Sequence, residues 1–154
     1  MKPTLTPDER FAGLCMNLAM EAAKQLVGRL QKLLRQSDPG DAALQNLLDG
    51  LTREHQADLG LLDGCRSLDG IPSAEPSGVT TALSKAFPSF PGRFGEGWLD
   101  RDVALYFAES LEEEASRFYR TLAECMSDTN ARLTLDEQSW RAGGRLAKLR
   151  TVLL

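Results

Sequence analysis

Histidine occurs once in these 154 residues, and cysteine three times, at Cys15, Cys65 and Cys125, an odd number set far apart with no C-x-x-C pair. That pattern signals neither a disulfide framework nor a zinc or iron–sulfur knuckle, so reduced core thiols are expected. Basic charge is also short. Eighteen Lys and Arg stand against 22 Asp and Glu, for a net charge of −4, with no basic block, which argues against nucleic acid or an anionic membrane as a partner. No apolar run approaches the ~20 residues of a membrane span, and MKPTLTPDER lacks the apolar core of a signal peptide. A cytoplasmic location is the expectation. No glycine loop of phosphate-cradling type precedes a helix, and one histidine placed in a core leaves no Ser–His or Cys–His nucleophile set.

What is present is 42% apolar and 26% charged residues, the balance of a soluble globular chain. One domain over residues 1–154 is the simplest organisation at this length. Thr6-Pro7-Asp8-Glu9 reads as a capping box with proline at the first helical position. A helix over about 7–36 follows, with Phe11, Leu14, Cys15, Leu18, Ala22, Leu26, Leu30 and Leu33 as its stripe, ending before Ser37-Asp38-Pro39-Gly40. Glu21 lies at the edge of that stripe, one heptad after Leu14, and is either solvated or turned inward.

A second helix, about 41–64, carries Leu44, Leu47, Leu48, Leu51, Leu59 and Leu62. The lone His55 takes an apolar place in that face, in one column with Leu48 and Leu62. It is expected to be buried, satisfied either by Asp58 three residues on or by a metal. From 66 to 99 prolines and glycines recur with Phe87, Phe90, Phe94 and Trp98. This reads as a crossover packed along the bundle, with one short helix at about 78–86; an aromatic binding surface is the alternative.

Asp100 is a candidate cap for a third helix, about 101–126. In it Leu105, Glu112, Tyr119 and Met126 form one column beside Ala104, Ala108, Leu111, Ala115, Phe118, Leu122 and Cys125. Glu112 therefore points at the core, where a carboxylate must be paired or bind something. A fourth helix, about 129–152, turns Ala131, Leu135, Ala142, Leu146, Leu149 and Leu153 inward. Gly143-Gly144 suggests close helix approach or a kink, and Trp140 falls off the stripe, facing the crossover or a subunit interface. Two helical hairpins joined by one long connection make an all-α, ferritin-like antiparallel four-helix bundle.

The stretches ALYFAESLEEEASRFYRTLAECMSDTNARL and LLDGLTREHQADL resemble the third and second helices of rubrerythrin-type ferritin-like proteins. The resemblance covers all four helices in order, and only the third is specific. It implies a di-iron site with one Glu from the first helix of each hairpin and a Glu-x-x-His from each second helix. Glu21 and Glu112 match the two single glutamates, Tyr119 the family's tyrosine, which would donate a hydrogen bond beside the ligands, and His55 one histidine. Thr52 stands where that motif has Glu, while Ala142 and Arg145 stand where the other motif has Glu and His; Gly28 replaces a frequent tyrosine, and the rubredoxin module is missing.

Two functions from different classes follow from the resemblance. One is a scaffold or interaction protein whose di-iron centre has degenerated, with no cofactor and with the guanidinium of Arg145 reaching into the former site. The other is an iron-dependent oxidoreductase or iron-handling protein with a single metal held by Glu21, His55 and Glu112. A third reading, independent of the resemblance, is a helical adaptor that meets its partner through Trp140 or the crossover. Family habit implies a homodimer.

Overall fold

A computed structural model describes residues 7–68, 97–126 and 129–153. Four helices account for nearly all of them: α1 (Pro7–Gln36), α2 (Ala42–Leu68), α3 (Arg101–Cys125) and α4 (Thr129–Leu153). The only extended pairing among the described residues is an isolated parallel bridge between Ser37 and Leu99. None of the described helices is long and apolar enough to cross a membrane.

The α1–α2 turn is built from local polar chemistry. Ser37 Oγ donates to Leu33 O at 2.7 Å and Gln45 Nε2 reaches back to Leu34 O at 3.4 Å, so carbonyls that α1 leaves open at its end are satisfied, and Gln45 Nε2 also meets the turn carbonyls of Ser37 at 3.1 Å and Asp38 at 3.2 Å. Asp41 Oδ1 accepts from the Leu44 backbone N–H at 3.1 Å, which is an N-cap for α2. Asp100 holds the same position before α3, yet its side chain makes no capping bond. The start of α2 thus matches the expectation, while its end runs four residues past Gly64 to Leu68. A glycine inside a helix costs only about 1 kcal/mol, too little to stop one that is packed along its length.

The direction of each helix follows from that turn. Leu99 N–H donates to Gln36 O at 2.9 Å, and Arg101 Nη1 lies 3.8 Å from Asp41 Oδ2. Helix α3 therefore begins where α1 ends and α2 begins, so α2 and α3 run parallel and α1 and α4 run opposite to them. Packing is tightest within the pairs α1–α2 and α3–α4, and the two hairpins meet through α1 against α3 and α2 against α4. The long connection expected over 66–99, with its short helix at 78–86 and Phe87, Phe90 and Phe94, lies outside the described residues except at its ends.

One apolar core draws on all four helices. From α3 and its C-cap residue Met126 the whole column Leu105, Glu112, Tyr119 and Met126 is buried, together with Ala104, Ala108, Leu111, Ala115 and Leu122. Cys125 departs from the expected stripe: it is exposed, Cys65 is half-buried and Cys15 is buried, all three free. Burial first, and then the neighbouring Cys125, push the Cys15 thiol up to about 11. In α1 the core face is Cys15, Met16, Ala19, Ala22, Ala23, Leu26, Leu30 and Leu33; Phe11 is exposed, and Leu14 only half-buried.

Candidate functional site

Half-way along the bundle the core stops being apolar. Helix α2 contributes His55 and Asp58, α3 contributes Glu112, and α4 contributes Gln138 and Arg145, all of them buried. Their positions follow from helical spacing: His55 and Asp58 are i, i+3, while Gln138, Arg141 and Arg145 are i, i+3 and i+7, each set on one face.

Glu112 is held from two sides. His55 Nε2 donates to its Oε1 at 2.6 Å, and Arg145 Nε donates to its Oε2 at 2.9 Å. The first contact fixes the imidazole tautomer, because a carboxylate oxygen can only accept, so Nε2 carries the proton. Asp58 is held by three groups of α4. Arg145 Nη2 lies 3.0 Å from its Oδ2 and Arg141 Nε 3.2 Å from its Oδ1. Gln138, with its amide nitrogen turned to Asp58, donates to both oxygens at 3.2 Å. The Arg145–Asp58 contact is an ion pair more than a hydrogen bond, since Nη2 has no aligned acceptor. At the margin, Glu54 Oε2 stands 3.8 Å from Arg145 Nη1, and Glu137 Oε1 is 3.9 Å from Arg141 Nη1.

With a neutral imidazole the charges close: two carboxylates face two guanidiniums. Burial by itself would lower the Arg145 value, but Glu112 and Asp58, helped by the hydrogen bond to Glu112 and by Glu54, outweigh it and hold the guanidinium above its ordinary value. A buried pair of this kind adds little stability over an apolar filling, but losing one member is costly. Its other effect is register, because donors on α4 meet acceptors on α2 and α3 only when the three helices are correctly aligned.

Two buried polar atoms stay outside the network. The Tyr119 hydroxyl has no hydrogen-bond partner among the described residues, nor does His55 Nδ1, which at 3.9 Å from Asp58 Oδ2 is beyond hydrogen-bond reach. Burial, reinforced by Asp58 and Glu112 and opposed by Arg145, raises the Tyr119 hydroxyl well above the ordinary tyrosine range.

Of the residues singled out from sequence, Glu112, His55, Asp58 and Arg145 come together, and Tyr119 is buried on the same helix as Glu112. Glu21 does not join them. Its carboxylate is 43% exposed and accepts from Lys24 Nζ at 3.0 Å. The reason is angular: Ala19, Ala22, Ala23 and Leu26 form the middle of the buried face of α1, and Glu21 sits roughly 140° around the helix from it. Leu14, used as the reference for Glu21, is itself off-centre. Thr52 spends its hydroxyl on its own helix, donating to Leu48 O at 2.8 Å, and Ala142 is buried with no donor atom to offer. Among the described residues Gly143-Gly144 provides no close approach: an added Cβ would meet only Ser116 Oγ, at 3.8 Å, from Gly143 and nothing within 4 Å from Gly144. Gln138 and Arg141 were overlooked, although their spacing from Arg145 was a readable signal.

These residues do not fit a pair of iron ions. The buried donors are two carboxylates and one imidazole, and the guanidinium of Arg145 already lies against both carboxylates. Among the described residues no group of three or more His, Cys, Asp or Glu side chains is arranged to hold a metal ion. Comparison with family models, with curated proteins and with solved structures returned no match.

Proposed function

We propose that this chain is a ferritin-like protein of the rubrerythrin type in which a di-iron centre has given way to a buried charge network, and that it works as a scaffold or interaction protein and not as a peroxidase. The observation that supports this is the guanidinium of Arg145, 2.9 Å from Glu112 and 3.0 Å from Asp58. A metal ion in a core of acidic ligands supplies positive charge; here a side chain that stays protonated at every physiological pH supplies it instead. Charge supplied in this way needs no loading and is not redox-active.

The competing oxidoreductase requires Glu21 beside His55 and Glu112, and Glu21 is half-exposed and paired with Lys24. Metal analysis of the full chain purified from iron-replete cells decides between the two. The expected result is less than stoichiometric iron and no spectroscopic signature of a coupled pair. Stoichiometric iron with such a signature would overturn the proposal.

A further inference from the structure

The three thiols gather at one end of the bundle. From Gln36, whose carbonyl accepts from Leu99 N–H, Cys15 is 21 residues back along α1; from Arg101, Cys125 is 24 residues along α3, and from Ala42, Cys65 is 23 along α2. At the helical rise these are about 32, 36 and 35 Å. Because α1 runs opposite to α2 and α3 from a common junction, the three share a level to within about one turn.

They divide between two seams. Cys65 belongs to α2 against α4, where its Sγ lies 3.5 Å from Thr134 Oγ1. Cys15 and Cys125 belong to α1 against α3, and a charged pair nearer the junction marks that seam. Burial opposes the charge of Arg29 in α1 and of Glu114 in α3, and each group offsets part of that effect for the other. Cys125 comes eleven residues after Glu114, about 20° from it around α3; Cys15 comes fourteen before Arg29, about 40° from it around α1 and turned into the core. The opposite side of α3 faces α4, where Glu109 and Ser116 bond to Arg150 and Ser139. Helices packed with axes about 8–10 Å apart bring facing Cα atoms to the roughly 4–7 Å that a disulfide spans.

We infer that Cys15 and Cys125 form a reversible thiol–disulfide site, through which small-molecule disulfides fasten the first turns of α1 to the end of α3. The two thiols have unequal roles. Cys125 is exposed and is the last residue of α3, followed by Met126 in an extended conformation at φ −86° and ψ 131°, so its side chain swings inward by adjusting a helix terminus and no helix interior. It meets the oxidant first. Its thiolate attacks one sulfur of oxidised glutathione; the new S–S bond forms as the old one breaks, and the departing glutathione takes up the proton Cys125 has lost. Cys15 then gives up its proton and attacks Cys125 Sγ, and the second glutathione leaves with that proton. Two protein thiols are oxidised and one glutathione disulfide is reduced to two thiols. Burial keeps Cys15 neutral, which makes the second step the slower. The bond joins positions 110 residues apart, a separation at which a crosslink restricts the unfolded chain strongly.

Exposure of the full chain to oxidised glutathione, followed by alkylation of the remaining thiols, mass measurement and peptide mapping, tests the site. Wild type should lose two of its three thiols without crosslinking between chains, yield a Cys15–Cys125 peptide, and return to the reduced form with dithiothreitol. The oxidised form should melt roughly 5 °C or more above the reduced one. Cys65→Ser should behave as wild type, Cys125→Ser should form no intramolecular disulfide, and Cys15→Ala should stop at a glutathione adduct on Cys125, with thermal melts of each variant as a check on folding. A wild type that keeps three free thiols or stops at the glutathione adduct, a bond that uses Cys65, or an oxidised form that melts no higher than the reduced one would each overturn the inference. Since the wild-type peptide map alone identifies the bond, a Cys15 variant that failed to fold would leave the test intact.

Discussion

The two helical hairpins treat their first-helix glutamates in opposite ways. Glu112 of α3 is fully buried between His55 and Arg145, while Glu21 of α1 is half-exposed and takes Lys24 as its neighbour. The helices differ in what faces them at that level. The inner face of α3 looks at the cationic and hydrogen-bonding groups of α2 and α4. The inner face of α1 is alanine and leucine, Ala19, Ala22, Ala23 and Leu26, and a carboxylate there would have no counter-charge. A buried carboxylate is thus a property of the neighbourhood more than of its own helix, because desolvation has to be offset by groups that other elements bring.

The sharpest way to break that comparison is to move a carboxylate to the apolar side. Ala22→Glu places one at a fully buried position of α1 and should cost on the order of 4 kcal/mol or more in urea unfolding; a near-neutral result would mean that the α1 wall already offers a partner. Next in size is Arg145→Met, which strips Glu112 and Asp58 of their shared cation and should cost about 3–5 kcal/mol. Adding Glu112→Gln to it should recover part of the loss, and the coupling read from the double-mutant cycle measures the pair itself.

Tyr119→Phe is a finer probe of the same region. Its hydroxyl has no hydrogen-bond partner among the described residues, so removal should change stability by about 1 kcal/mol or less, including a gain. The pH dependence has a definite sign. Burial first, then Asp58 and Glu112, raise the folded-state value above that of the unfolded chain. The unfolded tyrosine therefore ionises before the folded one. The stability tied to this proton is complete below about pH 10 and is lost as pH rises toward the folded value. Wild type should lose stability above that pH more steeply than Tyr119→Phe. The smallest effect belongs to Glu21→Gln, within about 0.5 kcal/mol. A larger loss would show that Glu21 contributes to the core after all.

Much of the fold was readable because helices declare themselves locally. Pro7 at a first helical position marked the start of α1, and Ser37-Asp38-Pro39-Gly40 and Asp41 the α1–α2 boundary, through backbone chemistry acting within a few residues. Glu112 was legible because it interrupts a strict heptad column, and Arg145 only through the resemblance, which sets it where a ligand histidine is expected. Glu21 was misjudged from a reference residue, Leu14, that lies off the true seam. Alanines such as Ala19 and Ala23 form that seam, and their low hydrophobicity hides it in a pattern built on leucine. Gln138 and Arg141 were missed because a polar side chain facing inward looks the same in sequence as one facing water until its partner is known.

Sequence by itself determined four helices, their approximate bounds, and an inward carboxylate on the third. Each of these depends on interactions a few residues apart or on the 3.6-residue period. Tertiary structure decided which glutamate enters the core, that Asp58 gathers Gln138, Arg141 and Arg145, and that the Tyr119 hydroxyl finds no hydrogen-bond partner among the described residues. Those outcomes depend on the rotation of each helix about its axis and on what the facing helices present, and packing sets both.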